Sequence, residues 1–177
     1  MHDKTGFYRH KRRKMKRTFI IGCLAVVFLD QVTKYIIRSS MEIFSSIAVI
    51  KDVFKITYIE NNGIAFGLMG GSDNPVKKWF LIAVVLFAIV MITVYWIVNM
   101  KDSFLFNLSC GFIVGGAIGN LIDRILRGSV TDFIEIGYKD LTWPVFNMAD
   151  TFVTIGIFLF AVYFLFFESK KDASHPV

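Results

Sequence analysis

The sequence predicts an all-α integral membrane protein, a bundle of four transmembrane helices with a small β element in its first extracytoplasmic connection. Three observations lead there. Apolar residues make up 55% of the 177-residue chain and the mean hydropathy is +0.57, above what a soluble domain carries. Four runs reach the roughly 20 apolar residues that a helix needs to cross a bilayer core. A dense basic block, His10-Lys11-Arg12-Arg13-Lys14-Met15-Lys16-Arg17, stands directly before the first of them.

The four spans read as Thr18–Arg38, Trp79–Val98, Leu105–Leu126 and Ala149–Phe167. They divide the chain into a basic extension (1–17), one four-span domain (18–168) and a short tail (169–177). None of Pro75, Pro144 and Pro176 falls inside a span, so no span is broken by proline. Lysine and arginine near span ends set orientation. The basic block puts the N-terminus in the cytoplasm, and four crossings return Lys170 and Lys171 to the same side. The short link around Asn99–Phe104 is then cytoplasmic, while the connections Ser39–Lys78 and Arg127–Met148 lie outside.

A cleaved signal peptide is the competing reading of the first span. Asp30 interrupts the run and no small-residue cleavage site follows, which favours an uncleaved anchor. Ile20-Ile21-Gly22-Cys23 has the look of a lipid-modification site, but it stands too close to the basic run to leave room for a signal core. The net charge of +6 does not indicate nucleic acid, because the cations cluster at a membrane flank, where they would meet anionic lipid. Cys23 and Cys110 sit inside apolar runs without metal-ligand spacing and read as small hydrophobes.

In the first outer connection, Ile47–Ile50 and Phe54–Ile59 flank Lys51-Asp52 and read as a small sheet on the membrane surface. Asn61-Asn62-Gly63 then marks a turn. The second outer connection, with Phe133, Ile134, Ile136, Tyr138, Leu141 and Trp143 among polar residues, reads as an interfacial segment anchored by Trp143.

Charge inside a span is costly and usually functional. Asp30 and Lys34 are one turn apart on the first helix. Asn120, Asp123 and Arg124 share a face of the third, and Asn147 precedes Asp150 at the start of the fourth. With the topology above, all of these and Asp132 fall at one depth beneath the outer surface. Asp30 with Lys34, and Asp123 with Arg124, read equally well as structural ion pairs or as catalytic groups. Gly111, Gly115 and Gly119 recur every fourth residue and read as a close-packing face of the third helix.

Elimination narrows the chemistry. The histidines His2, His10 and His175 all lie in the tails, so a helical zinc pair and a histidine-activated nucleophile are excluded. A serine–lysine dyad would need Lys34 neutral, yet Asp30 beside it holds the ammonium charged. Paired carboxylates remain, able to hydrolyse a peptide without metal or cofactor by sharing one proton. The residues alone do not rank Asp30, Asp123, Asp132 and Asp150. A transporter or assembly subunit is the rival class, but its polar groups belong near the midplane at broken helices.

Five motifs then occur in order: Asp30-Gln31-x-Thr33-Lys34, Asn61-x-Gly63-x-Ala65-Phe66, Gly115-Gly116-x-x-Gly119-Asn120-x-x-Asp123-Arg124, Val130-x-Asp132-Phe133 and Phe146-Asn147-x-Ala149-Asp150. With these the chain resembles the lipoprotein signal peptidases, or signal peptidase II, over about Thr18 to Phe167. It departs in the basic extension and at Thr131, where the family often has valine. The resemblance implies an aspartyl endopeptidase of bacterial cytoplasmic membranes, without cofactor, in which Asp132 and Asp150 are catalytic. Asp30, Lys34, Asn61, Gly63, Asn120, Asp123, Arg124, Asn147 and Ala149 would support the site or place the substrate. It further implies a prolipoprotein substrate carrying diacylglycerol on the cysteine that becomes the new N-terminus, and inhibition by globomycin-type cyclic peptides. Within that reading Asp150, at a helix start capped by Asn147, is expected to be the base and Asp132 to begin protonated. Phe54, Tyr58 and Phe66 are expected to cradle the substrate.

Overall fold

A computed structural model describes residues 4–63, 75–138 and 141–168. Its elements run α1 (Lys4–Ser40), β1 (Ser46–Ile50), β2 (Phe54–Asn61), α2 (Pro75–Val98), α3 (Phe104–Leu126), β3 (Val130–Tyr138), β4 (Leu141–Thr142) and α4 (Met148–Tyr163), with a wider π turn over Phe164–Glu168. Among the described residues, four helices are long and apolar enough to cross a membrane, in agreement with the four runs in the sequence. The helix starts follow local chemistry. Pro75 opens α2, where a missing N–H costs nothing. The Ser103 side chain accepts from Phe106 N at 3.3 Å to cap α3. Asn147 and Asp150 form a reciprocal capping box on α4.

α3 is the central helix. About 56% of its most apolar stretch is buried, against 28%, 17% and 11% for the corresponding stretches of α1, α2 and α4. Its glycines explain why. A β-carbon on Gly111 would lie 2.6 Å from the Phe19 carbonyl oxygen, and one on Gly115 2.7 Å from that of Cys23, so α1 lies directly on this face. On the other side, a β-carbon on Gly116 would meet the Ala149 carbonyl oxygen at 2.5 Å, which brings α4 equally close. Without a hydrophobic drive between helices in lipid, such backbone proximity supplies the dispersion contact that holds spans together. The glycine repeat is therefore a packing face for two neighbours.

At the end of the bundle nearer the α2–α3 link, Phe19, Trp96, Phe106, Cys110, Val114 and Tyr163 form a buried cluster. Phe19 stacks on Trp96 at 4.0 Å, and the indole donates to Asn107 Oδ1 at 2.8 Å, leaving that buried amide satisfied. Large apolar side chains such as Phe28, Phe87 and Phe158 face outward, as expected where the surrounding solvent is hydrocarbon. α1 continues without interruption into the basic extension, where Lys11 pairs with Asp102 of the α2–α3 link at 2.5 Å. Lys170, Lys171 and the rest of the tail lie outside the described residues.

The β element is larger than the sequence suggested. β1 and β2 form a hairpin whose turn holds Asp52 at φ 61°, a conformation that short polar residues tolerate. The second connection, read from sequence as an interfacial segment, contributes β3 and β4, giving a four-stranded antiparallel sheet in the order β1-β2-β3-β4. Phe54 pairs with Ile136 and Asn61 with Val130. The first four residues of β3 are all buried, so the alternation that marks a half-buried strand is missing there. Ile37 of α1, Tyr58 and Phe133 bury together and seat the sheet on the end of α1. Tyr58 is thus a packing residue and not part of a substrate cradle; Phe54 is half-buried, and Phe66 lies outside the described residues.

Gly111→Ala is expected to destabilise the protein by about 1–3 kcal/mol through overpacking against the α1 backbone. In Gly22→Ala the new methyl meets side chains alone, the end of Leu108 at 3.1 Å and the Phe112 ring at 3.6 Å, and the variant should unfold near the wild-type midpoint. Thermal unfolding in detergent reads both.

Candidate active site

The site begins with a lysine. Lys34 and Asp30, one helical turn apart on α1, are both fully buried, with Lys34 Nζ 2.9 Å from Asp30 Oδ2. The ammonium also lies 3.1 Å from Asp123 Oδ2 and donates to Asn120 Oδ1 at 2.9 Å, both on α3. One cation thus neutralises two carboxylates, and an amide takes its remaining donor. Asp30 also accepts from the backbone N–H of Ala149 at 2.9 Å, at the start of α4. Gln31 Nε2 stands 3.1 Å from both Asp30 Oδ2 and the Gly119 carbonyl. Gly119 has to be bare, since a β-carbon there would sit 2.5 Å from Asp30 Oδ2.

From Lys34 the network runs outward to two further aspartates. Asn120 turns its oxygen to the ammonium, so its Nδ2 donates to Asp150 Oδ1 at 2.8 Å. Asn147 Oδ1 accepts from Asp150 N at 3.0 Å, while its own backbone N–H lies 3.3 Å from Asp150 Oδ2. Its Nδ2 donates to Asp132 Oδ1 at 2.7 Å and to Asn120 Oδ1 at 3.1 Å. Asp132 Oδ2 accepts from Asn61 Nδ2 at 2.9 Å. Asp132 on β3 and Asp150 on α4 therefore meet across Asn147, and both line one open, mostly apolar cavity of about 690 Å³ that Trp143, Phe146 and Val153 also border. Burial pushes the Asp132 carboxyl up to about 7; the Asn61 hydrogen bond opposes this and the charge of Asp150 adds to it.

The other sequence-derived residues have distinct places. Asn61 Oδ1 accepts from Gly63 N at 2.9 Å, the turn expected of Asn61-Asn62-Gly63, and Arg124 Nη2 donates to the Gly63 carbonyl at 3.1 Å. Ala65 lies outside the described residues. The suggested pairing of Asp123 with Arg124 is not what forms: neighbours on a helix point apart. Asp123 instead faces Lys34 and, at 3.6 Å, Arg38. Arg38, Glu60, Ser129 and Thr131 were not identified from sequence as part of the site. Arg38 lies one further turn along the Asp30–Lys34 face, a spacing that would have revealed it. Among the described residues no three His, Cys, Asp or Glu side chains gather as a metal site.

Comparison with known proteins fits this architecture. The family model described as signal peptidase (SPase) II matches residues 22–166. The chain belongs to the signal peptidase II family. It is 39% identical over 143 residues to a lipoprotein signal peptidase of Halothermothrix orenii, covering 81% of this chain and 92% of that one. It is 36% identical to the lipoprotein signal peptidase of Bacillus velezensis over 153 residues, covering 86% and 97%. A solved bacterial membrane enzyme superposes with a TM-score of 0.76 at 36% identity, over 87% of this chain and 91% of the other. The family's matched region takes in α1 from Gly22 onward, the other three helices and both strands that carry the polar network.

Lys34→Met would leave buried Asp30 without its counter-ion and Asp123 with only the long Arg38 contact, and is expected to cost about 3–5 kcal/mol. Unfolding in a denaturing detergent should show a large loss of stability.

Proposed function

We propose that the protein is an aspartic endopeptidase of the bacterial cytoplasmic membrane that removes the signal peptide from prolipoproteins, cutting just before a diacylglyceryl-modified cysteine. The observation that carries this reading is the pair of aspartates, Asp132 and Asp150, joined through Asn147 at the wall of an apolar cavity. An apolar cavity beside carboxylates suits a substrate whose signal helix and acyl chains remain in lipid while its scissile bond meets water.

The chemistry follows from the two environments. Asp150 sits in the first turn of α4 with donors from Asn120 and the Asn147 backbone, a setting suited to an anion, and serves as the base. Asp132, driven toward its neutral form by burial, begins with the proton. Asp150 takes a proton from water as the oxygen attacks the scissile carbonyl, and Asp132 gives its proton to the carbonyl oxygen. When the tetrahedral intermediate collapses, the C–N bond breaks, the proton held by Asp150 passes to the leaving amine of the cysteine, and Asp132 recovers its own. Asn147 keeps the two groups in register throughout. Lys34, Asp30 and Asp123 act behind them as a fixed electrostatic base, and Arg124 holds the Gly63 turn over the site.

The lysine and arginine distribution supports both termini in the cytoplasm and the active site toward the extracytoplasmic face. The basic stretch Arg12–Arg17 would then lie against the anionic lipid of the inner leaflet. Globomycin-type cyclic peptides would compete for the apolar cavity.

Asp132→Asn and Asp150→Asn are each expected to stay folded and to lose processing of a diacylglyceryl-modified peptide by at least about a hundredfold. Normal turnover by either folded variant sinks the mechanism. The pH profile offers a separate check. The charged groups bearing on Asp132 are Asp150 of α4 and Lys34 of α1, with Arg124 of α3 nearby. Since the acid must be protonated and its carboxyl lies at about 7, kcat/KM should fall as pH rises through that value.

A further inference from the structure

We propose that a bridge from Arg38 through the buried Thr131 to Glu60 is a positioning device for Asp132. This rests on the reading of Asp132 as the catalytic acid. Successive residues of a strand face opposite ways. On β3, Asp132 faces Asn61 and Asn147, whereas Thr131 faces the end of α1. Arg38 Nη1 donates to Thr131 Oγ1 at 3.1 Å, and Thr131 Oγ1 donates onward to Glu60 Oε1 at 3.2 Å. The register pairs Glu60 with Thr131 and Ile59 with Asp132, so the bridge lies one residue from the acid on both strands.

The surroundings leave the hydroxyl no substitute. Thr131 is fully buried, and its backbone N–H is held by Asp123 Oδ2 at 3.3 Å. Arg38 is mostly buried, its Nε has no hydrogen-bond partner, and its contact with Asp123 is a long 3.6 Å. Glu60 gathers Tyr58 at 2.6 Å and Ser129 besides Thr131, fixing the strand on either side of the bridge. A threonine hydroxyl accepts from a cation and donates to an anion at once, which an isosteric valine cannot do. Removing it leaves Arg38 Nη1 with only its long contact to Asp123 and uncouples the start of β3 from α1 and β2. The fixed backbone of Thr131 is the backbone that aims Asp132 at Asn147 and the cavity, and small displacements of a reacting group are costly.

The test uses the purified full-length protein with a synthetic diacylglyceryl-modified peptide. Thr131→Val should lower kcat about tenfold with KM nearly unchanged, as for a misplaced reacting group. The alkaline limb of its kcat/KM profile should shift, since displacement changes the burial and the Asn61 and Asn147 hydrogen bonds that together set the Asp132 carboxyl. Thr131→Ser, which keeps the hydroxyl, should recover most of the lost kcat and the wild-type limb. Glu60→Gln combined with Thr131→Val should be no slower than Thr131→Val alone. A folded Thr131→Val with wild-type kcat and pH profile overturns the bridge, and so does equal loss in the Val and Ser variants with the alkaline limb unmoved. Turnover by Asp132→Asn under the same conditions would instead overturn the reading of the site itself, whatever Thr131→Val does.

Discussion

A single buried ammonium governs this molecule. Lys34 can only donate, so each group around it must present an oxygen. Asn120 obeys by turning its carbonyl inward, which sends its Nδ2 toward Asp150. Asn147 likewise gives Nδ2 to the Asn120 oxygen and keeps its own oxygen for the start of α4. The orientation of two amides and the donors available to two aspartates are thus settled by one cation at the far end of the chain of bonds. Because the interior is poor in water, reversing any member would leave two like poles facing each other without screening.

The helices and the sheet divide the labour. α1, α3 and α4 approach to backbone contact over glycines and bring Asp30, Lys34, Asn120, Asp123 and Asp150 to one level. The sheet, seated on α1 through Ile37, Tyr58 and Phe133, delivers Asn61 and Asp132 to the same level from outside the bundle. Neither part contains the whole site. A strand carrying one carboxylate and a helix start carrying the other converge at Asn147, and the apolar cavity opens where they meet.

Much of this was legible in the sequence, for reasons that can be named. The four spans announce themselves because lipid requires long apolar runs. The buried charges stand out because few side chains are tolerated there without a partner. The Gly111–Gly115–Gly119 spacing gives one packing face; that Gly116 serves a second neighbour needed the coordinates. β3 escaped because its buried beginning lacks alternation and its partner β2 lies some seventy residues earlier, a separation that no local pattern encodes. Asp123 was matched with Arg124 by adjacency, when helical geometry sends the two in different directions. Glu60 and Thr131 were invisible for a related reason: each looks like an ordinary strand residue until the pairing of β2 with β3 brings them together beside Arg38.

The one-turn spacing of Asp30 and Lys34 also bears on how the protein is made. Chains are synthesised from the N-terminus, so the first span is complete before Asn120 and Asp123 have been translated. At that moment its acid and its base have only each other. Sitting 2.9 Å apart on the same helix, they travel as a self-neutralised couple. The first span thus carries its own provisional counter-ion into the lipid, and the third span, arriving later, finds a lysine already in position to receive it.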